Sequence, residues 1–195
     1  MNIGNIPARN AIQYPDKTAL IFEGERWTWR QLDSRINRLS QALMGLGLGK
    51  GDKVAILTEN VPAIVETNYA CAKAGIVYFP VMSRLFPRDI RHLIDLSDAR
   101  VLIFHPDFRP VVEPMRSELP KVETYIQIGG DTPPWAIAYE PFLQSGRDAA
   151  PDVEVLPDDV YCFICTGGTT GVSKLGMLSH LNALTVIHTS IGAMN

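Results

Sequence analysis

Apolar and polar positions alternate between two periods along this chain. Leu32, Ile36, Leu39, Leu43 and Leu46 are spaced four, three, four, three, which is one apolar stripe of a helix. Thr28 with Gln31 three residues later predicts a capping-box start for that helix. Gly45, Gly47, Gly49 and Gly51 end it and turn the chain. Arg35, Asn37, Arg38 and Gln41 are expected on its solvent side. Before it, residues 19–22 and 26–29, flanking Glu23-Gly24-Glu25, predict a small hairpin.

Short apolar runs then alternate with helical stretches. Residues 53–58, 76–81, 101–104, 122–128 and 161–165 read as strands, several of them apolar enough to be buried on both faces. Asn60 can cap a helix with Pro62 in its first turn, running to about Lys73 and stopped by Gly75. Ile90, Leu93, Ile94 and Ser97 mark one face of a helix begun near Pro87. A helix over 106–119 is interrupted by Pro110 and Pro114. Residues 129–134 and 145–157 read as loops, with a helical turn at 139–144. After the fifth strand, 175–179 reads as a returning strand and His180 onward as a helix with Leu181, Leu184, Ile187 and Ile191 on one face. Strand and helix in alternation predict an α/β fold, a doubly wound, mostly parallel sheet with flanking helices. Ligands in such sheets gather at the carboxyl ends of the strands.

Composition narrows the classes. A chain of 195 residues suits one domain, and 46% hydrophobic with 20% charged residues is ordinary for a globular protein. A net charge of −3 gives no basic footprint for nucleic acid. No run reaches the ~18 apolar residues of a membrane span, and the first residues lack a basic region followed by an apolar core, so a cytoplasmic location is expected. Cys162 and Cys165 form a C-x-x-C, but an odd offset along a strand sends the two side chains to opposite faces, which favours packing over redox or metal chemistry. Cys71 is expected to be buried. His92, His105 and His188 share no ligand spacing, so no metal site is expected. Asp158 and Asp159, after Pro157, read as a turn that initiates the fifth strand rather than as paired catalytic carboxylates. Trp27, Trp29 and Trp135 read as core or rim.

The chemistry concentrates in residues 166–174. Gly167, Gly168 and Gly171 can adopt positive φ and let backbone N–H groups approach an anion. Thr166, Thr169 and Thr170 add hydroxyl donors, and Lys174 adds a positive charge. This is not a Walker loop, because Val172 and Ser173 separate Gly171 from Lys174 and Leu175 follows the lysine. No dinucleotide fingerprint can be laid over it. Taken alone, a segment of this kind is more often a plain turn than a phosphate loop.

The run from Thr166 to Asn182 resembles the phosphate-loop signature of the adenylate-forming superfamily, which includes acyl-CoA synthetases. Thr166, Gly167, Gly168, Thr169, Thr170, Gly171, Lys174, Leu178, Ser179, His180 and Asn182 match it. Ser173 stands where proline is usual, which loosens the loop's exit, and Leu175-Gly176 stands where glycine then an apolar residue is usual. Weaker similarity covers Gly51–Asn60, Ala72–Pro80 and Pro157–Val160. The resemblance implies the large amino-terminal domain of a fatty-acid-type acyl-CoA ligase, incomplete over 1–195, with the acyl pocket, hinge and small carboxyl-terminal domain downstream. It implies ATP with its Mg2+, coenzyme A and a carboxylic acid of the fatty type as reactants, with 166–174 holding phosphates and no complete catalytic set in this chain. His180 fits either an approach to the nucleotide or a helix start. Two other functions stay open: a non-catalytic module that holds ATP or pyrophosphate, and a truncated module that needs a partner.

Overall fold

The computed structural model describes residues 2–166 and 174–193, apart from the side chains of 188 and 190–193. Helix α1 (Asn5–Gln13) comes first, and strands β1 (Thr18–Phe22) and β2 (Glu25–Thr28) form a separate antiparallel hairpin. The predicted hairpin is therefore present, with a tighter loop: Phe22 pairs with Glu25, and Glu23 and Gly24 both take positive φ. Such a two-residue turn needs a left-handed backbone at both positions.

Helix α2 (Trp29–Gly45) starts at the expected capping box. Thr28 Oγ1 accepts from the Gln31 N–H at 3.3 Å, and Gln31 Oε1 accepts from the Thr28 N–H at 2.8 Å. Leu32, Ile36, Leu39 and Leu43 are buried, each worth about 1.5–3 kcal/mol relative to exposure. The solvent side assigned to Arg35, Asn37, Arg38 and Gln41 needs correction. Asn37 is buried and accepts from Lys73 Nζ at 2.6 Å, and Arg35 is enclosed by two carboxylates. Helix α2 lies between two other helices rather than at the surface, so its polar residues serve as inter-helix links.

Strand β3 (Lys53–Leu57), helix α3 (Pro62–Ala74), strand β4 (Val77–Pro80), helix α4 (Pro87–Ser97) and strand β5 (Val101–Phe104) follow in the predicted alternation. Val61, not Asn60, occupies the cap of α3, while Gly75 stops it at φ 69°. On α4, Ile90, Leu93, Ile94 and Ser97 are all buried. The stretch 106–119 is not one helix: single 3-10 turns flank the short α5 (Arg109–Met115), consistent with its prolines. Strand β6 (Thr124–Gln127), the short β7 (Ile137–Ala138), helix α6 (Tyr139–Ser145), strand β8 (Val160–Thr166), strand β9 (Lys174–Ser179) and helix α7 (His180–Ala193) complete the described chain. The sequence reading had no α1 and no β7.

Among the described residues, the large sheet runs in the order β7-β6-β5-β3-β4-β8-β9, parallel throughout except for β9, which returns antiparallel beside β8. Both faces are covered. Val54 and Ile56 pack with Ile36, Leu39 and Ala70 on one side, while Ala55 and Leu57 pack with Ile90, Leu93 and Val112 on the other. Cys162 and Cys165 divide the same way, as the odd offset requires. Because β4 lies on one side of β3 and β5 on the other, the chain reverses its winding direction between β3 and β5. The carboxyl ends of β3, β4, β5, β6 and β8 share one rim.

Candidate nucleotide site at the sheet rim

The segment 167–173 lies outside the described residues, but both its ends are described. Strand β8 runs outward to Thr166, and β9 returns from Lys174 directly opposite it. Thr166 Oγ1 donates to the Lys174 carbonyl at 3.3 Å, tying the two strand ends together. Thr166 and Lys174 are both exposed. Thr166 and Lys174 thus stand at the carboxyl end of a parallel strand, on the rim where open α/β sheets collect ligands. Of the predicted phosphate-binding residues, Thr166 and Lys174 come together here; Gly167, Gly168, Thr169, Thr170 and Gly171 are not described.

Beside this mouth lies a groove of about 340 Å³. Its walls come from the carboxyl ends of three strands: Ile56 and Thr58 after β3, Pro80 and Met82 after β4, and Ile164 and Cys165 on β8. The walls are mostly apolar. Thr58 is an exception: it is buried, and its Oγ1 has no hydrogen-bond partner among the described residues. In sequence, Leu57-Thr58-Glu59-Asn60 is the end of a strand, a helix cap and part of the weaker family similarity, none of which points to a groove. An apolar strand that stops at a hydroxyl beside a glycine-rich loop was the available signal.

His180 lies at the other end of the hairpin. Val160 pairs with Ser179, and the His180 N–H donates to the Asp159 carbonyl at 3.1 Å, at the foot of β8 rather than at its outer tip. Its side chain is completely buried against Tyr161, with ring centroids 5.2 Å apart. Asp159 takes the turn role expected of it: Oδ2 accepts from the Leu156 N–H and pairs with Lys50, each at 2.6 Å. The Lys50 hydrogen bond holds the Asp159 carboxyl below the usual carboxylate range.

A second polar cluster sits where α2, α3 and α6 meet. Glu66 is 1% exposed and accepts from Arg35 Nε at 2.5 Å and from the Tyr139 hydroxyl at 2.8 Å. Arg35 Nη2 also reaches Glu140 at 2.5 Å. Burial opposes the Arg35 charge, but its hydrogen bonds to Glu140 and Glu66 outweigh burial and raise its pKa. These bonds tie α2, α3 and α6 together, so the cluster serves as a brace.

Comparison with known proteins agrees with the geometry. A family model described as "AMP-binding enzyme" matches residues 7–194. Over 170 residues the chain is 32% identical to a 3-hydroxybenzoate–CoA/4-hydroxybenzoate–CoA ligase of Thauera aromatica, covering 87% of this chain and 32% of that protein. Over 159 residues it is 35% identical to a long-chain-fatty-acid–CoA ligase of Thermus thermophilus, covering 81% and 29%. Among solved structures, the anthranilate CoA ligase AuaEII in complex with anthranoyl-AMP matches with a TM-score of 0.89 at 27% identity, over 92% of this chain and 35% of that one. The inhibitor-bound N-terminal domain of FACL13 from Mycobacterium tuberculosis matches with a TM-score of 0.81 at 30% identity, over 92% and 44%.

The chain therefore belongs to the AMP-binding enzyme family, and the two relatives just described are CoA ligases of an aromatic and a fatty acid. It spans about a third of the length of these curated relatives. Among the described residues no helix is long and apolar enough to cross a membrane.

Proposed function

We propose that this chain is the phosphate-gripping portion of a ligase that activates a carboxylic acid with ATP and passes it to coenzyme A. In the reaction, a carboxylate oxygen attacks the α-phosphorus of ATP and the bond to the β-phosphate bridge breaks, giving an acyl-adenylate and pyrophosphate. The thiol of coenzyme A then attacks the acyl carbon, and AMP leaves. Mg2+ travels with the nucleotide and neutralises part of its charge. The part assigned to this chain is electrostatic. Backbone N–H groups of Gly167, Gly168 and Gly171, the hydroxyls of Thr166, Thr169 and Thr170, and the Lys174 ammonium face the β- and γ-phosphates. There they stabilise charge as it builds on departing pyrophosphate.

The observation that carries this reading is the position of Thr166 and Lys174, paired and exposed at the carboxyl end of β8. A unit charge about 4 Å from an anion is worth roughly 4 kcal/mol near a protein surface. Calorimetric titration of residues 1–195 with Mg-ATP and with pyrophosphate tests the proposal. Binding in the parent that weakens at least tenfold in Lys174→Ala supports it; equal affinities in the two would refute it. His180 is left out of the phosphate set, since it lies at the foot of the strand. The chain spans a third of its relatives, so turnover is assigned to the longer polypeptide, and residues 1–195 alone are expected to release no pyrophosphate with any carboxylate.

A further inference from the structure

The start of the chain is fastened to its last described helix through a single imidazole. His180 Nδ1 accepts a hydrogen bond from the Ile3 backbone N–H at 3.2 Å, across 177 residues of sequence. Because Nδ1 accepts, the proton of the neutral ring sits on Nε2, which is buried with no partner among the described residues. Ile3 is buried, and Gly4 packs against α3 so closely that an added Cβ would stand 2.7 Å from the Lys73 nitrogen. Asn2 completes the attachment weakly, donating to the Val155 carbonyl at 3.5 Å.

We propose that residues 2–4 form an acid-released latch, held closed by neutral His180 and opened when its Nδ1 takes up a proton. A protonated imidazole is a donor at both nitrogens. Its Nδ1–H would then meet the Ile3 N–H, donor against donor, at a fully buried position, and the contact must break. The groups facing His180 work in both directions. The Asp159 carboxylate favours protonation, Lys50 and the amino-terminal charge oppose it, and the Tyr161 hydroxyl stays neutral at these pH values. Burial is the largest influence and holds the imidazole below its ordinary pKa.

A histidine whose pKa is lower in the closed form stabilises that form fully above the open-state value of ~6.5. The stabilisation is lost as pH falls from ~6.5 toward the lower closed-state value. Between pH 7.5 and 5.5 the open form gains, by at most about tenfold. The latch closes on the foot of the hairpin whose outer tip carries 166–174, yet the inference does not depend on what that tip binds.

Amide exchange at Ile3, followed by NMR on residues 1–195 and corrected for intrinsic rates, tests the latch. Leu39 and Leu43 on α2 report global opening. The expected result is an Ile3 protection factor lower at pH 5.5 than at pH 7.5, by up to about tenfold, with Leu39 and Leu43 unchanged. In His180→Asn, the amide oxygen stands close to where Nδ1 was and does not titrate, so Ile3 protection should no longer depend on pH. Equal wild-type protection at both pH values overturns the proposal. So does a loss shared by Leu39 and Leu43, or the same loss in His180→Asn. The wild-type comparison alone decides should the variant fold poorly.

Discussion

Arg35 holds two carboxylates at the same 2.5 Å, Glu66 and Glu140, and their energetic weights should differ several-fold. Side-chain exposure is 2% for Glu66 and 57% for Glu140. Removing Glu140 deletes a solvated partner, a change worth under about 1 kcal/mol. Removing Glu66 leaves the buried Tyr139 hydroxyl without its acceptor, about 1–3 kcal/mol on its own. It also strips Arg35 of the partner that faces the interior, and breaking a buried pair costs about 3–5 kcal/mol. Because Glu140 still answers part of the guanidinium, Glu66→Ala is expected near 4 kcal/mol. In a protein of this size that lowers Tm by about 8–16 °C, against at most about 4 °C for Glu140→Ala. Urea unfolding of Glu66→Ala, Tyr139→Phe and the double variant should give a coupling energy above about 1 kcal/mol, because the two side chains share one bond. The reasoning fails if Glu140→Ala costs as much as Glu66→Ala, or if the coupling is indistinguishable from zero.

Two glycines offer a contrasting pair. An added Cβ at Gly146 would lie 1.9 Å from the Arg38 carbonyl oxygen, so Gly146→Ala must push α6 off α2 and should cost several kcal/mol. Gly45 ends α2 with nothing within 4 Å of an added Cβ, so Gly45→Ala should be neutral or stabilise by up to about 1 kcal/mol; thermal unfolding of both variants distinguishes these outcomes. The thiols should also separate. Burial raises the Cys71 pKa strongly and pushes Cys162 up to about 11, while Cys165 is half-buried. At pH 8 a thiol reagent should therefore modify one cysteine quickly, identified as Cys165 by peptide mass, and the other two only on unfolding.

The alternation of strands and helices was legible because each buried strand of the sheet is a short apolar run and α4 carries a clean apolar stripe. The capping box at Thr28 and Gln31 was legible because both partners lie within one turn of sequence. The chemistry at 166–174 showed through its residue types, which need no tertiary context to suggest an anion. What the sequence hid was pairing at a distance. Arg35 and Asn37 read as solvated because Glu66, Lys73 and Glu140 lie 31 to 105 residues away. Helix α1 buries only Pro7 fully and has no capping side chain, so its pattern gave no signal. Strand β7 is only two residues long and follows a proline-rich loop. His180 followed a recognisable motif, yet its partner is a backbone N–H at the opposite end of the chain.

The burial of α2 between α3 and α6 has a consequence for synthesis on the ribosome. The amino-terminal helices emerge first, and α3 with Glu66 and Lys73 follows soon, but Tyr139, Gly146 and finally His180 arrive late. The apolar stripe of α2 meets β3 and α3 soon after it is made, whereas its face toward α6 stays uncovered until residues 139–146 follow. A nascent chain of this kind would need shielding at its beginning more than at its end.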